Sequence, residues 1–191
     1  MEELLHYLNS IHKMSPELVA YLRTHLKTKE LAKKEFLLKI GHVSSNICFI
    51  SKGILRCFYS FGDKDVSSWF MKEGDVIVSV ESFFTQSVSY EAIQALEDTT
   101  IHYITYSELQ YVFHNFPEFN FTARVLLERY YTLSEQRLHS LRLRNATDRY
   151  IYLRRHHAEL EQRVPSKYIA SYLGITEVRL SGIKRAANKI L

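Results

Sequence analysis

The residues of this chain that could do chemistry are two cysteines, nine histidines and a run of cations near the C-terminus. Cys48 and Cys57 lie in apolar, strand-like segments and read as buried reduced thiols. Two cysteines are too few for a four-thiolate iron–sulfur cluster. His42 and His102 stand far apart, with none of the H-x-H pairs that a cupin-like barrel uses to hold a metal. A lone histidine among strands reads as a hydrogen-bonded structural residue. His156-His157 lies in a basic segment and reads as exposed. No glycine-flanked serine or cysteine has a nearby histidine to activate it. The expectation is no metal, no cofactor and no catalysis.

What remains is hydrogen bonding and charge, concentrated in VPSKYIASYLGITEVRLSGIKRAANK, Val164 to Lys189. Gly174 sits where a four-residue turn needs positive φ. Ile169, Ala170 and Leu173 fall on one helical face before it, and Leu180 and Ile183 on one face after it. Thr176 fits the N-cap of the second helix. This is the pattern of a helix-turn-helix, whose second helix enters a DNA major groove. An ordinary helical hairpin is the alternative. On the first reading the base-facing residues are Thr176, Glu177, Val178, Ser181, Gly182 and Arg185. The phosphate anchors are Lys167, Arg179, Lys184 and Lys189, with Arg185 able to serve there too.

Charge distribution agrees. From Arg137 to Leu191 there are 12 Lys and Arg against 4 Asp and Glu, whereas residues 1–136 hold 13 against 17. A basic end joined to an acidic remainder suits a polyanion-binding part attached to a sensor.

The elements that must position this tract follow from texture. With 191 residues, 46% of them hydrophobic, the chain can bury a real core and is not disordered. No apolar run reaches the ~18 residues of a membrane span. The start, MEELLHYLNSI, lacks the basic opening of a secretory signal, so a cytoplasmic location is expected. Residues 1–27 read as helical, with Ser15-Pro16 as a start signal. Between Lys29 and Thr105, short β-type runs alternate with turn residues every 8–12 positions, the texture of an antiparallel barrel or sandwich. The runs are EFLLKI, ICFI, ILRCFY, SSWF, VIVSV, YEAIQAL and TTIHYITY.

A long helix is predicted from about Glu118 to Arg144. Leu127, Tyr131, Ser134, Leu138 and Leu141 step along it by 4, 3, 4 and 3, a coiled-coil seam for a second copy. Leu126, Tyr130 and Leu133 form a neighbouring stripe, and a core helix wide enough to need both stripes is the alternative. Asn145-Ala146-Thr147 reads as a hinge, with Thr147 capping the next helix.

The order of parts resembles the Crp/Fnr family of transcription regulators, in its Bacteroidetes-type branch. The segments that carry the likeness are EFLLKIGHVSSNICFISKGILRCFY, EGDVIVSVESFFTQSVSYEAIQALEDTTIHYIT and DRYIYLRRHHAELEQRVPSKYIASYLGI. The resemblance implies an α+β chain: an N-terminal antiparallel β-roll of jelly-roll type, a long dimerisation helix, and a C-terminal winged-helix-like helix-turn-helix. The corresponding division is residues 1–117, a cyclic-nucleotide-binding-like sensor with N-terminal helices; 118–145, helix and hinge; and 146–191, the DNA-binding domain. It further implies a homodimer, a DNA operator with two half-sites, and RNA polymerase as a partner.

A nucleotide effector does not follow. The family's cassette supplies an arginine for the cyclic phosphate, since a buried phosphodiester wants a bidentate guanidinium. Here the matching stretch holds Val80, Glu81, Ser82, Phe83, Phe84, Ser89, Tyr90 and Glu91, and no Lys or Arg lies between Lys72 and Arg124. Glu91 would repel a phosphate. The expectation is no response to cyclic AMP, with this remnant as a possible pocket for another small molecule. Trp69 and Phe70, beside Phe83 and Phe84, are expected mainly as core. A sensing module that has lost DNA binding is the other reading left open.

Overall fold

The computed structural model describes residues 1–187. Helices α1 (Glu2–Ile11) and α2 (Pro16–His25) come first. Ser15 caps α2 as its sequence predicts, its Oγ accepting the Leu18 N–H at 3.3 Å and donating to Glu118 at 2.6 Å. The strands are β1 (Lys27–Leu31), β2 (Phe36–Leu38), β3 (Asn46–Lys52), β4 (Leu55–Phe61), β5 (Lys64–Met71) and β6 (Val76–Ile77). A short helix α3 (Val80–Thr85) precedes β7 (Glu91–Ala95) and β8 (Thr99–Thr105). Two four-stranded sheets result, ordered β1-β8-β3-β6 and β2-β7-β4-β5. The interleaving of early and late strands is that of a roll, and the β1–β8, β3–β8, β3–β6 and β2–β7 pairs are antiparallel. Helices α4 (Tyr106–Asn115), α5 (Phe119–Leu143), α6 (Ala146–His156), α7 (Ala158–Arg163), α8 (Ser166–Tyr172) and α9 (Glu177–Ala187) complete the chain.

The chain forms two compact units. Met1–Cys57 and Phe70–Arg129 make the first; Phe58–Trp69 and the chain from Tyr130 onward make the second. In the first unit, Leu4, Leu8, Leu18, Leu22, Phe49 and Phe83 share one core with Ile104, Leu109 and Val112. Gly53 turns β3 into β4 at φ +101°, and a Cβ there would lie 2.8 Å from the Thr99 Cα. Only glycine fits that crossing. Cys48 and Cys57 are free buried thiols. Burial pushes Cys48 up to about 12 and raises Cys57 as well, so neither is a nucleophile at neutral pH.

Three local expectations are corrected. VIVSV is strand only at Val76–Ile77; its β-branched end, Val80, begins α3 instead. β1 starts at Lys27, two residues before the β-textured region begins in the sequence. The helix after the hinge is capped by Asn145, whose side chain accepts the Asp148 N–H at 2.9 Å, not by Thr147. Asparagine is the stronger cap, and starting the helix at Ala146 buries that residue.

Candidate nucleic-acid interface

Four short helices of the second unit build the site. α8 buries Ile169 and Ala170, and α9 buries Leu180, Ile183 and Ala187. Between them Leu173 ends α8 and Gly174 takes φ +66°. The turn closes through Gly174 N–H to Ser171 C=O and Ile175 N–H to Ala170 C=O, both at 3.0 Å. Thr176 Oγ1 then accepts the Arg179 N–H at 3.2 Å, the N-cap bond that its position predicts.

Side chains from outside the motif brace its turn. Arg149 on α6 donates from Nε to the Leu173 carbonyl at 2.9 Å and from Nη1 to the Arg144 carbonyl at 2.6 Å. Arg137 on α5 donates to the Tyr172 carbonyl, and its guanidinium carbon lies 3.5 Å from the Tyr172 ring centre. Ser171 bridges to the β4–β5 hairpin, accepting the Ser67 N–H and donating to the Asp65 carbonyl, both at 2.9 Å. Residues 171, 172 and 173 are thus each held by a separate partner. The sequence gives no hint of these ties, because their acceptors are mostly backbone atoms far away in the chain.

With its buried side fixed, α9 presents Thr176, Glu177, Val178, Arg179, Ser181, Gly182 and Arg185 to solvent. Val178 is 83% exposed. A Cβ on Gly182 would meet nothing within 4 Å, so no contact inside the protein requires glycine there. Lys167 is exposed at the start of α8, with its Nζ 4.9 Å from the Tyr168 ring centre. Lys184 differs from the other predicted anchors: its Nζ is 3.3 Å from Glu161 on α7. Lys189 lies outside the described residues. His156 is exposed as expected, whereas His157 is half-buried at the junction of α6 and α7.

On the long helix, Leu127 and Tyr131 are 60% and 66% exposed, and Leu138 and Leu141 about 40% each. Ser134 is also exposed, its hydroxyl turned back to the Tyr130 carbonyl at 2.9 Å.

In the first unit, the residues of the cassette divide. Ser82, Phe83 and Ser89 are buried, whereas Val80, Glu81, Phe84 and Tyr90 are exposed. Phe83 packs edge-on against Phe84 and Tyr106. Trp69 is half-buried and Phe70 buried. Ser79 and Ser89 hydroxyls meet at 2.9 Å, and Ser89 Oγ donates to the Glu91 carbonyl at 2.8 Å. Burial raises the Glu91 carboxyl above its ordinary range, partly opposed by a hydrogen bond from Ser79. A cavity of about 40 Å³ lies between Leu38, Cys48, Ile77 and Ile93, and none of the eight cassette residues lines it.

Among the described residues no cluster of three or more His, Cys, Asp and Glu is placed to hold a metal, and no helix is long and apolar enough to cross a membrane.

No protein-family model and no curated protein matches the chain. Solved structures do. A CooA variant from Carboxydothermus hydrogenoformans is 21% identical at a TM-score of 0.71, over 92% of this chain and 80% of that one. CLP, the c-di-GMP-responsive global regulator of Xanthomonas campestris, is 12% identical at 0.72, over 92% of both chains. FixK2 from Bradyrhizobium japonicum is 17% identical at 0.67, over 86% of this chain and 84% of that one. These neighbours are Crp/Fnr-type regulators. The α+β architecture read from the sequence, a cyclic-nucleotide-binding-type roll, a long helix and a C-terminal helix-turn-helix, is the fold of this chain.

Proposed function

We propose that the chain is a DNA-binding transcription regulator of the Crp/Fnr type, in the family's Bacteroidetes-type branch, and not an enzyme. The observation that carries this reading is the exposed face of α9 on a braced turn. Thr176, Glu177, Val178, Ser181, Gly182 and Arg185 would face base edges, while Lys167 and Arg179 would hold phosphates. Glu177 can accept from a cytosine amino group and Val178 can touch a thymine methyl. Gly182 would let the helix backbone approach the groove closely.

The exposed seam of Leu127, Tyr131, Ser134, Leu138 and Leu141 supports a homodimer, whose two recognition helices would read half-sites about one DNA turn apart. The domain division at residues 117 and 145, a cytoplasmic setting and RNA polymerase as a partner belong to the same reading. Independence from cyclic AMP rests on the lack of a basic residue between Lys72 and Arg124 and on the Glu91 carboxyl in the cassette. Another small-molecule effector would contact the cassette residues Val80–Phe84 and Ser89–Glu91.

The test is selection of genomic fragments from the source organism by the full chain at moderate salt, followed by sequencing. Enrichment of a two-half-site motif supports the reading. Retention of no fragment sinks it and favours a sensing module without DNA binding, the reading that the uncharged Val178 and Gly182 would suit. A calorimetric titration with cyclic AMP should show no heat of binding; micromolar affinity lost on mutating the cassette would refute that part.

A further inference from the structure

Glu161 on α7 gathers three donors from the two helices that flank it. Tyr150 Oη, on α6, donates to Glu161 Oε1 at 2.8 Å. Lys184 Nζ, on α9, lies 3.3 Å from the same oxygen. Arg154 Nε, also on α6, lies 3.8 Å from Oε2. The side chains of Glu161, Lys184 and Arg154 are only 20%, 27% and 33% exposed, so the group is shielded from water on most sides. Tyr150 is buried at 2%. Burial together with the bond to Glu161 pushes its phenol up to about 12, so it remains a donor at every physiological pH.

Lys184 directly follows Ile183, whose side chain anchors the buried side of α9. Its ammonium therefore points along the protein side of the helix, toward α7, while Arg179 and Arg185 are exposed. An ammonium held by a shielded carboxylate must give up that partner to reach a phosphate, and the carboxylate would then lose one of its counter-charges.

We infer that Lys184 fixes the seat of the recognition helix through Glu161 rather than gripping DNA phosphate, and that Glu161 is the positioning residue for α9. This deepens the DNA-binding reading and rests on it for its functional consequence. The electrostatic grip of α9 then falls to the exposed Arg179 and Arg185.

Two measurements on the full chain test this. The first is the salt dependence of affinity for a short mixed-sequence DNA duplex. R179A should lower the slope by about one unit, the signature of one lost phosphate contact. K184A and E161Q should leave the slope unchanged, each weakening binding by about fivefold, with the double variant no worse than either single. A slope lowered by one in K184A, together with unchanged or tighter binding in E161Q, would make Lys184 a phosphate contact and overturn the inference.

The second is amide exchange of residues 177–187 in the DNA-free protein. K184A and E161Q should both speed exchange there by a similar factor; unchanged exchange in both overturns the seating role. This arm needs no DNA, so it decides the Lys184–Glu161 role even if the wild type retains no duplex.

Discussion

Arg137 stacks on Tyr172 and donates to the carbonyl of that same residue, so one guanidinium holds both the ring and the backbone at the end of α8. A planar fork can do both at once; an ammonium cannot. R137K should therefore destabilise the helix-turn-helix by about 1–2 kcal/mol despite keeping the charge. Amide exchange of Ile169–Leu173 in the variant, compared with the wild type, reads this directly.

Two glycines should respond to alanine very differently. At Gly174 a new Cβ has room, its nearest neighbour being Arg149 Nη2 at 3.9 Å, so only the positive φ resists. G174A should cost about 1 kcal/mol, with asparagine tolerated better than valine. At Gly53 the Cβ would drive into the Thr99 backbone and Oγ1. G53A should cost more than about 3 kcal/mol, or leave the roll unfolded. Denaturation midpoints of the two variants settle the order.

Acid should loosen the start of α4. The Glu108 carboxyl accepts Lys27 Nζ at 2.8 Å and the Thr105 N–H at 2.9 Å, completing a capping box. Burial disfavours its charge, yet the bonds from Lys27 and Thr105 outweigh burial and hold it at about 2. A carboxyl whose folded pKa lies below its unfolded value stabilises fully above the ordinary value of 4.5 and loses that contribution as pH falls toward 2. E108Q should thus be less stable than the wild type by roughly 1 kcal/mol at neutral pH. The gap should shrink between about pH 5 and about pH 3 in urea titrations. A gap independent of pH would contradict the assignment.

The proposed seam makes a prediction about assembly. Leu127 and Leu138 are exposed along a helix whose apolar steps are those of a coiled coil. The pair L127E and L138E should weaken self-association by at least about tenfold, measured by sedimentation equilibrium. Wild-type protein that sediments as a monomer at micromolar concentration would remove the seam altogether.

Local physics made much of this chain legible. Gly174, the apolar steps around it and Ser15-Pro16 each encode a conformation within a few residues, and the structure places them as the sequence predicts. The long helix was bounded within a residue or two by Pro117 and the Asn145 region. β1 was harder, because KTKEL is almost wholly exposed and becomes a strand by pairing with β8, some 70 residues later. Glu161, Arg137 and Ser171 were invisible for the same reason. Their roles depend on partners that only the folded chain brings near, and a charged residue in a helical sequence looks alike whether solvated or seated.

Arg149, near the start of α6, reaches both the Arg144 carbonyl, one residue past the end of α5, and the turn carbonyl of Leu173 from a single side chain. A swivel at Asn145 that left Arg149 in place would pull it off one of its two acceptors. Torque applied at the end of α5 would therefore be delivered to the turn itself, and the four helices beyond Asn145 would move like a crank on its shaft rather than a weight on a string.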